Sequence, residues 1–449
     1  MEQRYEKYSK QIDAHKELLL EAERYLWKNP EPGYREWKTH AYLKALYEKF
    51  GYRVIEAGDI PGFYVDIDTG RPGPKLGIFG EMDSLIIPSH PECDPETGAV
   101  HACGHHLQSV ALLAIAIALK APGALDGMCG SIRLFAVPAE EGIEIGFRRE
   151  LRAKGVIKFF SGKMEYLARG YLEGVDLAMM VHASDTPGMA CPSGTNGNVL
   201  KRATFIGKSA HAGGSPHKGL NALYAATTAL SAANALRETF REKDYIRFHP
   251  ILSKGGNVVN AIPDEVISES YVRGADFSAI REVSKKINRA YAGAAATLGC
   301  RVYFEDQYNH APRINDKNFR LAFHEVAKNF FPEEDLNFDK AWGAGCSDMG
   351  DISCVMPTVH PYVGGTKGTS HSASYYVVDA EKACLTGAKV QVGVANLLLS
   401  DNGAYAKKII EQAYVPFDSV EKFFESVAEL SYEGDGVLYN EDGTVTLRY

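Results

Sequence analysis

Four short stretches hold the residues best suited to chemistry. His101-Ala102-Cys103-Gly104-His105-His106 sets a thiol and an imidazole two residues apart at the start of an apolar helix. A thiolate with an imidazole suits zinc or another borderline divalent ion. Pro138-Ala139-Glu140-Glu141 follows directly on an apolar strand at 132–137. Adjacent carboxylates point different ways, so one can hold metal while the other faces substrate as a general acid and base. His182 closes the apolar run 176–181, and His371 stands in a Gly/Ser/Thr-rich loop at 363–374. Singly, these read as a helix-start turn, a solvated Glu pair and two hydrogen-bonded histidines. At successive strand ends, where α/β sheets gather their ligands, coincidence explains them poorly. Cys103, His105, His182, His371 and a glutamate supply enough donors for two divalent ions if the thiolate bridges them.

Such a site needs a scaffold that brings strand ends together. Residues 5–50 carry helical periodicity through Leu18, Leu19, Ala22 and Leu26, then Ala41, Leu43 and Leu46. Asn29-Pro30-Glu31-Pro32-Gly33 breaks that pattern, so two helices are expected. Apolar runs at 63–67, 75–79, 131–137 and 177–181 alternate with helices, which predicts an α/β fold with a mainly parallel sheet covered by helices. From residue 199 to 309 the texture changes to strand, helix, two strands, helix, strand, an inserted α+β unit. The first texture then returns, with helices at 318–330 and 380–399 around a Gly-rich stretch at 343–350. Residues 1–198 and 310–449 are therefore expected to form one discontinuous domain. Near the C-terminus an Asp-Gly pair between alternating segments predicts a hairpin.

Composition narrows the function classes. The 449 residues exceed what one core usually serves, so two domains are expected. Hydrophobic content of 45% and charged content of 24% are those of a globular protein. A net charge of -8 without a basic stripe argues against nucleic acid as a partner. The longest apolar run, 110–119, is too short to span a bilayer and reads as a buried helix. The first thirty residues have no signal-peptide pattern, and the eight scattered cysteines form no framework. A cytoplasmic chain with reduced thiols is expected.

Taken in order, NPEPGYREWKT, GEMDSL, HACGHH, PAEE, VHAS, SAHAGGSPHKGLNAL, GGNVVNAIPD and GGTKGTSH resemble the metal-dependent aminoacylase and carboxypeptidase superfamily over residues 15–400. The likeness is to its amidohydrolase branch: hippurate hydrolases, auxin-conjugate hydrolases and aminobenzoyl-glutamate hydrolase subunits. It implies Cys103 as bridging ligand, His105 and His182 completing one metal site, and Glu141 and His371 the other. Zinc or manganese comes first, with cobalt or nickel next. Glu140 is then the catalytic base, and Asp83 the carboxylate that orients a ligand. The insert becomes a lid and dimerisation domain whose His211 stabilises the oxyanion in the neighbouring subunit of a homodimer. By the same likeness Asn260 and Arg273 hold a substrate carboxylate, and Gly364 and Gly365 line the substrate.

The implied reaction is hydrolysis of the amide of an N-acyl-amino acid, an aminobenzoyl-glutamate-like compound or a dipeptide with a free carboxylate. A catalytically silent homologue and a broader carboxypeptidase or dipeptidase are the alternatives. The chain departs from the branch at Phe79-Gly80-Glu81-Met82-Asp83, commonly Arg-Ala-Asp-Met-Asp, and at His106, commonly Asp. His90, His217, His249, His310 and His360 are read as surface or turn residues.

Overall fold

The computed structural model describes residues 2–339 and 341–449. They divide into two units, one of Met1–Gly194, Ile314–Trp342 and Asp351–Asp418, the other of Thr195–Arg313, Gly343–Gly350 and Ser419–Tyr449.

The first unit opens with three helices rather than the expected two: α1 (Glu2–Ala14), α2 (Lys16–Lys28) and α3 (Trp37–Lys49). His15 leaves helical geometry with ψ 16° and separates the first two. The break carries no Gly or Pro, so periodicity alone runs across it. Strands β1 (Ile55–Glu56), β2 (Phe63–Asp68), β3 (Lys75–Glu81), β4 (Ser131–Val137) and β5 (Leu177–Met179) join Thr358–Val359 in one sheet, ordered β1-β2-β4-β3-β5 and then Thr358–Val359. The last four positions of that order are mutually parallel. From β3 the chain goes to β4 on one side, then to β5 on the other. The carboxyl ends of these strands therefore flank a topological switch point, the usual location of a ligand site.

Helix α4 (His105–Leu119) connects β3 to β4, and every one of its residues is buried. Leu and Ile dominate it; each such side chain contributes roughly 1.5–3 kcal/mol on burial. It packs against α1, α2, α3, β3 and the helix Gly387–Leu399. This burial holds His105, at its first position, against the sheet's carboxyl edge. Among the described residues no helix is long and apolar enough to cross a membrane.

In the second unit, β7 (Gly197–Ile206), β8 (Arg247–Lys254), β9 (Glu265–Gly274) and β10 (Arg301–His310) follow β6 (His182–Ser184), which belongs to the first unit. With β11 (Tyr432–Asp435) they form an antiparallel sheet ordered β8-β9-β7-β10-β11. Helices α7 (Ala222–Ala235) and α8 (Phe277–Thr297) pack on each other and on that sheet. Sequence reading puts the whole tail with the larger domain. Residues from Ser419 onward group with the insert instead: β11 pairs with β10, and a hairpin of Val437–Tyr439 and Val445–Leu447 packs on α8. A short helix (Val420–Ala428) buries Phe423, whose ring lies 6.2 Å from Phe277 and 6.5 Å from Tyr308. No local pattern in the tail names β10 as its partner.

Phe423→Ala should therefore cost about 3–5 kcal/mol, read from urea unfolding. Deleting residues 419–449 should expose the β10 edge and promote aggregation. A monodisperse deletion of wild-type stability would contradict this packing.

Candidate metal centre

Three strand ends and one helix start meet in the first unit. Two residues past β3, the Asp83 carboxylate accepts from His105 Nδ1 at 2.9 Å and from the Glu141 backbone N–H at 2.9 Å. That bond fixes the His105 tautomer and turns its Nε2 away from Asp83, the usual support for a metal-ligating histidine. Gly104, between Cys103 and His105, has φ +88°, and a Cβ there would lie 2.4 Å from the Tyr375 hydroxyl oxygen. Only glycine fits this turn.

Two donor groups share Cys103. One is Cys103, His105 and His182; the other is Cys103, Glu141 and His371; within each the donor atoms lie within 4.8 Å of one another. Cys103 Sγ is 3.4 Å from His182 Nε2, and His371 Nε2 is 3.1 Å from Glu141 Oε1. The buried His105 Nε2 and Glu141 Oε1 have ion-pair neighbours, Glu81 at 3.2 Å and His371 at 3.1 Å, but make no well-directed hydrogen bond. Buried polar atoms without a directed hydrogen bond are rare, and these two converge with soft and imidazole donors, so the donor set fits divalent ions. His371 has φ +64°, unusual for a residue with a side chain and frequent at functional sites. Glu140, 8% exposed, lies 3.9 Å from His105 Nε2.

The electrostatics agree with a site that expects cations. Burial raises the Cys103 thiol, but His105 and His182 overcome it and hold Cys103 well below the usual thiol range. Burial and then the Cys103 thiolate push Glu141 up to about 7. Close contact with Cys103 and then with Glu141 pushes His371 up to about 11. Asp83 is held down to about 2: burial opposes this, and His105, the Glu141 N–H and Arg148 together outweigh it.

Several residues of the site escape sequence reading. Glu81 lies 3.2 Å from His105 Nε2, accepts from Gln108 Nε2 at 2.7 Å and pairs with the wholly buried Lys163 on α6 (Gly162–Ala168). Glu81 and Asp83 are two residues apart, a spacing that extended backbone carried past the end of β3 turns to one side. Nothing in the sequence points to Lys163. His106, where the branch commonly has Asp, meets the buried Glu23 at 3.2 Å, with Trp27 packed on its ring. His182 does not close the strand before it: β5 ends at Met179, and His182 begins β6, which pairs in parallel with Tyr362–Gly364 in another sheet. His90 lies in a turn as expected, though buried, and His310 and His360 are buried rather than on the surface. The His360 ring stacks on His182 at 5.9 Å, which an isolated histidine in sequence does not announce.

Gly364 ends that pairing and Gly365 follows it; both are buried, and a Cβ on either would strike backbone, Thr186 O at 2.2 Å and Asp379 O at 2.6 Å. The other three expected residues lie in the second unit. His211 is exposed, and its Nδ1 accepts from the N–H groups of Gly213 and Gly214 at 3.2 and 2.9 Å. Asn260 is exposed, and its carbonyl accepts from Ala212 N at 2.9 Å. Arg273, half-buried on β9, donates to His249 Nε2 at 3.2 Å and to Cys346 Sγ at 3.3 Å.

A thiol common to two donor groups, with imidazoles and paired carboxylates beside it, fits a metal-dependent hydrolase of the peptidase and amidohydrolase class. Residues 63–396 match the model of peptidase family M20/M25/M40, and the chain belongs to that family. It is 27% identical to the Xaa-Arg dipeptidase of Mus musculus over 389 residues, 82% of this chain and 81% of that protein. It is also 27% identical to one of the p-aminobenzoyl-glutamate hydrolase subunits of Escherichia coli over 301 residues, 65% of this chain and 58% of that one. Its fold matches a dinuclear metal-binding peptidase of Bacillus subtilis with a TM-score of 0.66 at 20% identity, covering 86% of this chain and 99% of that one.

The raised Glu141 and His371 give a pH prediction with a definite sign. Without metal His371 carries a proton at neutral pH and Glu141 is about half protonated, and a divalent ion must displace these protons. Affinity should rise between about pH 6 and about pH 8, with protons released on binding. Titration against a chromophoric chelator checks this, and a pH-independent affinity would contradict it. In the metal-free protein iodoacetamide should modify Cys103 near neutral pH, with protection once metal is added.

Proposed function

We propose that this protein hydrolyses the amide bond of an N-acyl-amino acid, an aminobenzoyl-glutamate-like compound or a dipeptide that bears a free carboxylate. The observation that carries this reading is the Cys103 thiol common to two donor groups, with Glu140 beside them. Cys103, His105 and His182 would hold one divalent ion, and Cys103, Glu141 and His371 the other. Zinc or manganese suits these donors, with cobalt or nickel next. Bound there, the ions supply Lewis acidity and lower the pKa of water.

The chain's own groups then divide the work. Glu140 takes the proton of the attacking water and hands it to the departing nitrogen, because an unprotonated amide anion is too basic to leave. Asp83 keeps His105 in one tautomer and ties the Glu141 backbone to it. His211, with Nδ1 accepting, carries its proton on Nε2 and is suited to donate to an oxyanion. In this reading His211 acts on the neighbouring subunit of a homodimer, Asn260 and Arg273 hold the substrate carboxylate there, and Gly364 and Gly365 let the substrate approach the backbone. The dimer reading has its own support: β11 covers the β10 edge, while β8 pairs only with β9 among the described residues and is open to a symmetry mate. The names of similar proteins support the substrate class, since they include a dipeptidase, an aminobenzoyl-glutamate hydrolase and an indole-3-acetyl-aspartic acid hydrolase. Eight free cysteines support a reducing compartment such as the cytoplasm.

A screen of N-acyl-amino acids, dipeptides and aminobenzoyl-glutamate with zinc- or manganese-loaded protein identifies the substrate. Glu140→Gln should keep metal and lose about 10²–10⁴-fold in kcat, whereas Glu141→Gln should weaken metal binding. Equal loss of metal in both variants overturns the assigned roles. Mixing inactive Glu140→Gln with inactive His211→Ala should restore about a quarter of wild-type activity, because about half of randomly exchanged dimers are mixed and each has one complete site. No recovery after demonstrated exchange means that His211 acts within its own chain or not at all.

A further inference from the structure

The turn that carries both glutamates is held at more points than its length requires. Ala139 has φ +57°, a left-handed conformation that a residue with a Cβ adopts only under constraint. Its N–H donates to Glu36 Oε1 at 2.8 Å, on a carboxylate that is itself wholly buried. On the other side stands Arg148, 0% exposed. Its Nη1 donates to the carbonyls of Phe160 at 2.6 Å and Ala139 at 3.4 Å, and its Nη2 donates to the carbonyl of Glu141. The guanidinium thus bonds the residues on both sides of Glu140. Gly33 makes room for it: a Cβ there would lie 2.5 Å from Arg148 Nη2 and 2.8 Å from Ala139 Cα.

The helix that delivers this side chain is equally telling. Helix α5 (Ile145–Ala153) buries one residue, Arg148, and contributes no apolar side chain to the buried core. Burying a guanidinium is costly, and an apolar side chain would fill the space more cheaply, so a role in filling space does not account for it. Its planar fork of donors, unlike the single ammonium of lysine, reaches several carbonyls at once. We infer that Arg148, with Glu36, is a positioning residue that locks the Ala139–Glu141 backbone and so sets the Glu140 carboxylate for proton transfer and the Glu141 carboxylate for metal. This inference rests on the roles proposed above for Glu140 and Glu141.

Arg148→Met and Arg148→Lys in the full chain test it. The readouts are thermal unfolding, zinc and manganese stoichiometry and affinity by chelator competition, and kcat and KM on the substrate found by the screen. Arg148→Met should bind the more weakly held ion about 10–100-fold less tightly. Its kcat should fall about 100-fold while KM changes by less than about threefold, as displacement of a catalytic group predicts. Arg148→Lys, which keeps the charge and part of the bonding, should fall between Met and wild type. A merely structural role would lower the melting temperature and leave metal affinity and kcat per folded chain intact; that result in either variant overturns the inference. Should Arg148→Met fail to fold, Arg148→Lys decides, since wild-type affinity and kcat in it are equally fatal. Wild-type protein that binds fewer than two ions would instead count against the function proposed above, so the two failures are distinguishable.

Discussion

One carboxylate ties the site together. Asp83 accepts from His105 with one oxygen and from the Glu141 backbone with the other, so a single side chain links the start of α4 to the turn after β4. It reaches both because β3 and β4 run parallel side by side and α4 lies across them. The large buried core thus has a local consequence. It fixes three chain segments closely enough for two oxygens of one group to satisfy two of them. Charge-assisted hydrogen bonds of this kind are among the stronger ones available to a protein, and burial strengthens them further.

The same region concentrates negative charge out of water. Cys103, Glu81, Asp83, Glu140 and Glu141 crowd together, and even after relaxation burying one ion costs several kcal/mol. Lys163 offsets Glu81, and Arg148 approaches the turn from the far side. Protons offset much of the remainder, on His105 and His371 and in part on Glu141, whose raised positions record the surplus. Two divalent ions supply a better offset, one that also does chemistry. In the proposed function a fold that tolerates this crowding in advance holds its donors near one another, which leaves little reorganisation to oppose binding.

What was legible in the sequence was what depends on residue type and local spacing. The Cys-Gly-His turn, the Glu pair after an apolar strand and the alternation of strands with helices could all be read, because thiols, imidazoles and buried-strand patterns have few common uses. The insert showed itself through a change in the order of strands and helices. What depends on distant partners was not legible. Arg148 and Glu36 bond backbone groups, which every residue has, so no pairing of residue types announces them. Lys163 lies 82 positions from its partner Glu81. His15 breaks α1 from α2 without a helix-breaking residue, and β11 finds β10 across more than a hundred residues. The continuous apolar run before His182 predicts one strand ending there, whereas the chain leaves the main sheet after Met179 and starts another.

The central claim is that Cys103 joins two metal sites, one with His105 and His182 and the other with Glu141 and His371. X-ray absorption on the zinc-loaded full chain tests it most directly, because the spectrum reports the atoms around each ion without reference to any substrate. The account predicts two zincs per chain, each with one sulfur at about 2.3 Å and the other zinc at about 3.5–4 Å. A single zinc per chain, or zinc without a sulfur neighbour, would contradict it.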